Sequence, residues 1–199
     1  VYLVVYLIIF TLLRLLSGSI INYIGLRDGD GKVELNNEVY NQKNVAASLF
    51  SIGLSTVFAS MIRFLDVVPA DSMALFESIL KMSSVLSFTL FAFIVYSLVL
   101  RQKTTLFKEI FLDNNVAAGV ALFGFIFAVE IILDNAIVLQ SVFNFIELVT
   151  MSLVSLILFG ILSALFKVIF TKIIQVDIWN EVYEQNNIGA ALGQAALYI

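Results

Sequence analysis

Glu38-Val39-Tyr40-Asn41-Gln42-Lys43-Asn44-Val45-Ala46-Ala47 decides the fold, because the chain writes this stretch three times. It recurs as Glu109-Ile110-Phe111-Leu112-Asp113-Asn114-Asn115-Val116-Ala117-Ala118, and again as Glu181-Val182-Tyr183-Glu184-Gln185-Asn186-Asn187-Ile188-Gly189-Ala190. The offsets between copies are 71 and 72 residues. Near-equal spacing of this kind is the mark of one structural unit copied along a chain. Each copy sits where a polar stretch gives way to a long apolar one.

Outward from the motif, the chain is built for lipid. Of its 199 residues 61% are hydrophobic and only 13% charged, with a mean hydropathy of +1.02. A soluble domain of this length cannot bury that much apolar surface. Three runs free of charge, between Lys43 and Arg63, Lys81 and Arg101, and Glu147 and Lys167, hold 19 residues each. At 1.5 Å per residue each covers roughly 28 Å, close to the hydrocarbon thickness of a bilayer. A helix meets every backbone hydrogen bond within its own segment, so helices are expected. The sequence has neither His nor Cys, which removes imidazole and thiolate metal sites, Ser-His or Cys nucleophiles and disulfides. A net charge of −4 without a basic cluster gives no reason to expect nucleic acid.

Six membrane segments are expected: Val1–Ile21 with Arg14 inside it, Asn44–Leu65, Met73–Leu100, Asn115–Leu133, Val142–Phe166 and an incomplete segment from Asn187. Turns are predicted at Pro69 and at Asp134-Asn135. The unit is a hairpin followed by a linker. The chain divides into residues 1–43 (first helix and polar linker), 44–114 (repeat 1), 115–186 (repeat 2) and 187–199 (the start of repeat 3). Both ends lie in apolar runs, so the chain reads as a piece of a longer protein. Phe166, Ile169, Phe170, Ile173 and Ile174 share one helical face of the third linker, which predicts an amphipathic helix lying in the membrane interface. Leu106, Phe107, Ile110 and Phe111 form a similar side on the second linker. Eight of the eleven basic residues fall on the linker side, which places the linkers in the cytoplasm. The fold expected is all-α: a polytopic membrane protein of repeated transmembrane hairpins joined by amphipathic cytoplasmic linkers.

The motif residues have a structural reading first. Asn44, Asn115 and Asn187 stand where each helix begins and suit N-caps; a ring of three Asn ligands is the alternative. Glu38, Glu109 and Glu181 are expected on the linker helices, paired with a neighbouring repeat or a base. Small residues follow each Asn: Ala47, Ser51, Gly53 and Ser55, then Ala117, Ala121, Gly124 and Ala128, then Gly189 and Gly193. Small residues let membrane helices approach closely, within a subunit or between subunits. Arg63, Glu130, Asp134 and Glu147 are the ionisable residues that an ion path or a charge pair would use. Arg63 and Asp134 both lie 19 residues after their Asn, at the far interface. With Asp66, Asp71 and Glu77 the acids there outnumber the bases Arg63 and Lys81, giving an acidic outer mouth. The Asp28-Gly29-Asp30-Gly31 stretch lacks both anchoring carboxylates of a calcium loop and reads as a turn. No metal, cofactor or catalytic constellation is expected.

The stretches Asn44-Val45-Ala46-Ala47-Ser48, Asn115-Val116-Ala117-Ala118-Gly119 and Asn187-Ile188-Gly189-Ala190-Ala191 carry a family resemblance. With its flanking hairpins the chain resembles the domain-of-unknown-function 350 (YjfL-like) family of bacterial inner-membrane proteins. The resemblance implies a multi-pass protein without established catalytic residues. It also implies a setting in envelope stress, beside ATP-grasp ligases of the glutathionylspermidine-synthase type and phage-shock-like proteins. Two functions are therefore expected. The first is a non-enzymatic membrane scaffold or assembly subunit, whose partners are the bilayer, further copies or other membrane subunits, and a cytoplasmic protein on the linker surface. The second is a cation channel or transporter, with polyamines as one candidate cargo.

Overall fold

The computed structural model describes residues 37–64, 72–100, 104–138 and 145–199, with the isolated positions Val4, Leu7, Ile8, Thr11, Leu15, Ser19, Asn22 and Leu35. The expected first membrane segment with Arg14, the Asp28–Gly31 turn and the Pro69 tip with Asp66 and Asp71 lie outside these described stretches. The continuous described stretches form five α-helices: α1 (Val45–Arg63), α2 (Ser72–Leu100), α3 (Val116–Val138), α4 (Phe145–Ile169) and α5 (Ile188–Tyr198). Four single π-helical turns accompany them: π1 (Asn37–Asn41), π2 (Lys108–Leu112), π3 (Phe170–Ile174) and π4 (Asn180–Glu184).

Among the described residues four helical segments are long and apolar enough to cross a membrane: Val45–Arg63, Ser72–Val99, Val116–Ala136 and Val149–Ile173. They coincide with four of the six expected segments. The sixth is the short helix α5, of 11 residues.

The helices that start at the motif, α1, α3 and α5, run parallel, with α3 in the middle. Helix α2 packs on α1 and α3, and α4 packs on α3 and α5. Burial follows from this order. In the apolar window of α3, 61% of residues are buried, against 6% for α4. The core is filled by Phe50, Val57 and Met61 of α1, Met82 and Val85 of α2, and Leu122, Ile126 and Leu133 of α3. On α4, Ile157, Ile161, Leu162 and Leu165 are all exposed, as side chains facing lipid are.

Two expected boundaries move. No turn forms at Asp134-Asn135, because α3 continues to Val138. Asp134 Oδ2 is bonded to Arg63 of α1, and Asn135 Nδ2 donates to Ile131 O at 2.7 Å, so both polar side chains find a partner without leaving the helix, while Asp134 Oδ1 is buried with none among the described residues. The third linker does not begin at Lys167 either. Helix α4 runs through Lys167 to Ile169, and π3 extends it to Ile174. It stops where Gln175 takes a left-handed conformation (φ 57°). The exposed residues Ile169 and Ile173 thus belong to the end of a long helix rather than to a separate one. On the second linker, Leu106, Phe107, Ile110 and Phe111 do share a side, but they are buried in protein rather than turned to lipid.

Candidate functional site

Each motif copy folds into the same local device. The five residues from Asn37, Lys108 or Asn180 form a π turn. The Asn after it donates its backbone N–H to the Glu carbonyl six residues back, at 3.0 Å for Asn44 to Glu38 and 2.8 Å for both Asn115 to Glu109 and Asn187 to Glu181. Closing that turn requires a left-handed residue just before the Asn. Lys43 (φ 54°), Asn114 (φ 47°) and Asn186 (φ 51°) occupy that position. Asn adopts it readily because its short polar side chain bonds locally; Lys does so only when the surroundings hold it there.

The side chain of the capping Asn then works at both ends. Oδ1 accepts from the third residue on: Ala47 N at 2.9 Å, Ala118 N at 2.9 Å and Ala190 N at 3.2 Å. Nδ2 donates to the motif's own Glu: Glu38 at 3.3 Å, Glu109 at 2.7 Å and Glu181 at 2.8 Å. The glutamates are therefore held by their own Asn, not by a base or by a neighbouring copy as expected. Thr104 Oγ1 also donates to Glu109, at 2.7 Å. A carboxylate 7% exposed needs such donors.

In two copies the same amide also reaches the next copy. Asn44 Nδ2 donates to Ile110 O (2.9 Å) and Phe111 O (3.3 Å). Asn115 Nδ2 donates to Val182 O (3.2 Å) and Tyr183 O (3.1 Å). A return bond runs from the preceding helix to the left-handed Asn: Ala46 N to Asn114 Oδ1 at 3.2 Å, and Ala117 N to Asn186 Oδ1 at 2.9 Å. The three Asn residues thus do not converge on one point as a ligand ring. They form a series, each tied to the turn that follows. Asn44 and Asn115 are buried, whereas Asn187 is exposed and makes neither cross-helix bond. Asn114 and Asn186 did not figure among the expected site residues. The signal was the doubled Asn, present in copies two and three and replaced by Lys43-Asn44 in copy one.

The small residues separate by face. Ala47, Gly53, Ala117, Ala121, Gly124 and Ala128 are buried; Ser51 is half-buried; Ser55, Gly189 and Gly193 are exposed. The close approaches identify the working face. A Cβ on Gly119 would lie 2.9 Å from Ala46 Cα, and one on Gly124 would lie 2.7 Å from Ala195 Cα. Gly53 faces Ile126 more loosely, at 3.1 Å. Nothing lies within 4 Å of a Cβ built on Gly193.

At the far end Arg63 pairs with Asp134 across α1 and α3. One turn deeper, Glu130 is 3% exposed; its carboxyl accepts from Thr89 Oγ1 of α2 at 2.6 Å, and Oε2 has no partner among the described residues. Glu147 is exposed in the first turn of α4. Glu77 and Lys81 form an i,i+4 pair on α2 at 2.6 Å. At the linker end Tyr96 and Tyr183 share a hydrogen bond of 2.5 Å, with the Trp179 ring tilted beside them. Burial pushes the Tyr183 phenol well above its ordinary range, so it remains a neutral hydroxyl. Among the described residues no group of three or more acids stands close enough to hold a metal.

The family model described as Domain of Unknown Function (DUF350) matches residues 73–199, nearly two thirds of the chain. The first motif copy lies ahead of the matched stretch. No curated protein and no solved structure matches the chain. The chain belongs to the DUF350 family.

Proposed function

We propose that this DUF350 protein is a non-enzymatic assembly subunit of the bacterial inner membrane, in which tandem hairpin units dock in series and copies associate through the exposed small-residue face of α5. The observation that carries this reading is a docking surface used twice among the described helices and exposed a third time on α5. On α1 the face that receives α3 holds Ala46, Leu49 and Gly53, the second, fifth and ninth residues after the Asn, and on α3 the ninth, Gly124, receives α5. On α5 the second, fifth, sixth and ninth residues are Gly189, Leu192, Gly193 and Ala196, and all four are exposed. At the other end the position of the buried Phe111 and Tyr183 is taken by Tyr40, which is 77% exposed. A head-to-tail contact between such different faces is heterologous and yields a ring or a filament. The excess of Lys and Arg on the linker side supports cytoplasmic linkers. Exposed linker residues such as Leu112 then face the cytoplasm, where a partner from envelope-stress pathways can dock.

Gly193→Leu tests this, because it adds bulk to the free face of α5 without touching the chain's own packing. The native mass of the assembly extracted in mild detergent should fall to that of the single subunit. An assembly of wild-type size in the variant overturns the reading.

One observation favours a second reading, a cation path. Glu130 is a buried carboxyl at membrane depth with one oxygen that has no partner among the described residues, and such groups mark ion and proton routes. Glu130→Gln should then abolish cation or polyamine flux into liposomes while the native mass is unchanged. Equal flux in wild type and variant eliminates it.

A further inference from the structure

The contacts between motif copies follow one register. Helix α1 meets α3 where a Cβ on Gly119 would lie 2.9 Å from Ala46 Cα, and a Cβ on Gly53 would lie 3.6 Å from Ile126 Cβ. Helix α3 meets α5 where a Cβ on Gly124 would lie 2.7 Å from Ala195 Cα. Counted from the capping Asn, the second residue of one copy meets the fourth of the next, and the ninth meets the eighth and the eleventh. Each helix therefore has one face that meets the following copy and one that meets the preceding copy. Helix α3 has both covered, with Gly119, Gly124 and Ile126 buried.

On α5 the face for a following copy is open: Gly189, Leu192 and Ala196 are exposed. On α1 the face for a preceding copy is open. Its fourth residue, Ser48, is half-buried; its eighth, Ile52, is 51% exposed; its eleventh, Ser55, is exposed, as is Ala59 one turn further on. Both serines keep their hydroxyls on their own helix, Ser48 Oγ donating to Asn44 O at 2.8 Å and Ser55 Oγ to Ser51 O at 2.9 Å. They ask for no polar partner and act as small residues, which let helices in lipid approach closely. Because α1, α3 and α5 are parallel, a second copy laid against α5 in this register stands the same way up in a bilayer.

The motif turns are complementary as well. Inside the chain the left-handed Asn114 and Asn186 accept from Ala46 N and Ala117 N, at the start of the preceding helix. The first copy carries Lys43 at that position, exposed and without an ion pair among the described residues. At the start of α5 stands Glu181, held by Asn187 Nδ2 at 2.8 Å. A full negative charge there outweighs the partial positive charge of the helix start, so a cation is favoured.

We propose that the open face of α5 takes the open face of α1 from a second copy of this chain, in the register of the internal contacts, with the second copy's Lys43 at Glu181. The inference rests on the assembly reading and adds to it the receiving surface. The occupant is a second copy because the complement of the α5 face is present on the chain itself, uncovered and correctly oriented. The contact is heterologous, so it propagates from copy to copy.

The chain has no Cys, so single cysteines report the contact. The register pairs Ala196 with Ser55, as it pairs Gly53 with Ile126, at a Cβ separation that a disulfide spans. Full-length Ala196→Cys and Ser55→Cys proteins, with different affinity tags, are produced together in one membrane and oxidised. A disulfide should join the two proteins, and neither should dimerise when produced alone. Ser48→Cys, about 10 Å along the helix from Ser55, should not link to Ala196→Cys. Lys43→Glu in the Ser55→Cys protein should lower the yield by up to about fivefold, and Glu181→Lys in its partner should restore it. A dimer of Ala196→Cys alone overturns the proposal and assigns α5 to a symmetric contact with another α5. Linkage of the out-of-register pair overturns it too, and a yield indifferent to Lys43→Glu overturns the pairing with Glu181. A native mass above the single subunit without the mixed disulfide overturns this inference and leaves the assembly reading standing. The mass of a single subunit in the wild type overturns both.

Discussion

At the scale of single residues, the capping Asn shows how context changes the worth of one side chain. In Asn115 four polar contacts converge on a buried amide: Oδ1 accepts from Ala118 N, and the two N–H bonds of Nδ2 are shared among Glu109 and the carbonyls of Val182 and Tyr183. Asn115→Ala removes a helix cap, worth about 1 kcal/mol. It also takes one of two donors from the buried Glu109 carboxylate and a donor from two carbonyls, at about 1–3 kcal/mol for each group left unmade. Asn187→Ala loses the cap and an exposed contact alone. Unfolding in mixed micelles by added dodecyl sulfate should therefore cost Asn115→Ala about 3 kcal/mol or more, and Asn187→Ala about 1 kcal/mol. Equal losses at the two sites would show that the cross-helix bonds contribute nothing. The Arg63–Asp134 pair is a different case. Arg63 is largely exposed, and an ion pair so placed contributes little beyond register.

At the scale of elements, the glycines divide by what surrounds them. Helix α3 is the spine because it offers a small residue wherever another helix crosses it: Gly119 toward Ala46 and Gly124 toward Ala195. Backbone atoms at 2.7–2.9 Å cannot move aside as a flexible side chain does. Gly124→Ala should destabilise by on the order of 1–3 kcal/mol through overpacking. Gly160→Ala meets open space and replaces the poorest helix former short of Pro, so it should stabilise by up to about 1 kcal/mol. The same detergent titration reads both variants, and a loss of stability in Gly160→Ala would refute the open space beside it. Because Gly124 and Ala121 are buried within the chain, Leu at either position damages the fold itself. Gly193 is the position that tests association.

At the scale of the whole molecule, three parallel helices start at one end and their return helices stand outside them. That arrangement puts every motif copy at the same face, the one we propose faces the cytoplasm. The chain has no Cys, so single cysteines can be placed without background. Lys108→Cys should react with a membrane-impermeant maleimide only from the cytoplasmic side, and Asn135→Cys only from the opposite side. The reverse pattern would invert the topology.

The sequence by itself determined that this chain is helical, apolar enough for a bilayer and written in three copies of one motif. Those properties follow from composition, charge-free run length and spacing, which are local and additive. It determined as well that the Asn residues begin helices, since a cap is a matter of a few neighbouring atoms. It did not determine where Asp134 and Lys167 fall, because a polar residue ends a helix only if no partner is brought to it; Arg63 was brought to the one and Trp179 to the other. Tertiary structure alone decided which amides are buried. It also decided which small residues meet a neighbour: Ala47 faces inward and Ser55 outward on the same helix. A groove between α2 and α4 has no sequence signature at all. It exists because two helices rest on the same spine without reaching each other, and its lining comes from segments as far apart in the chain as Phe91 and Tyr198.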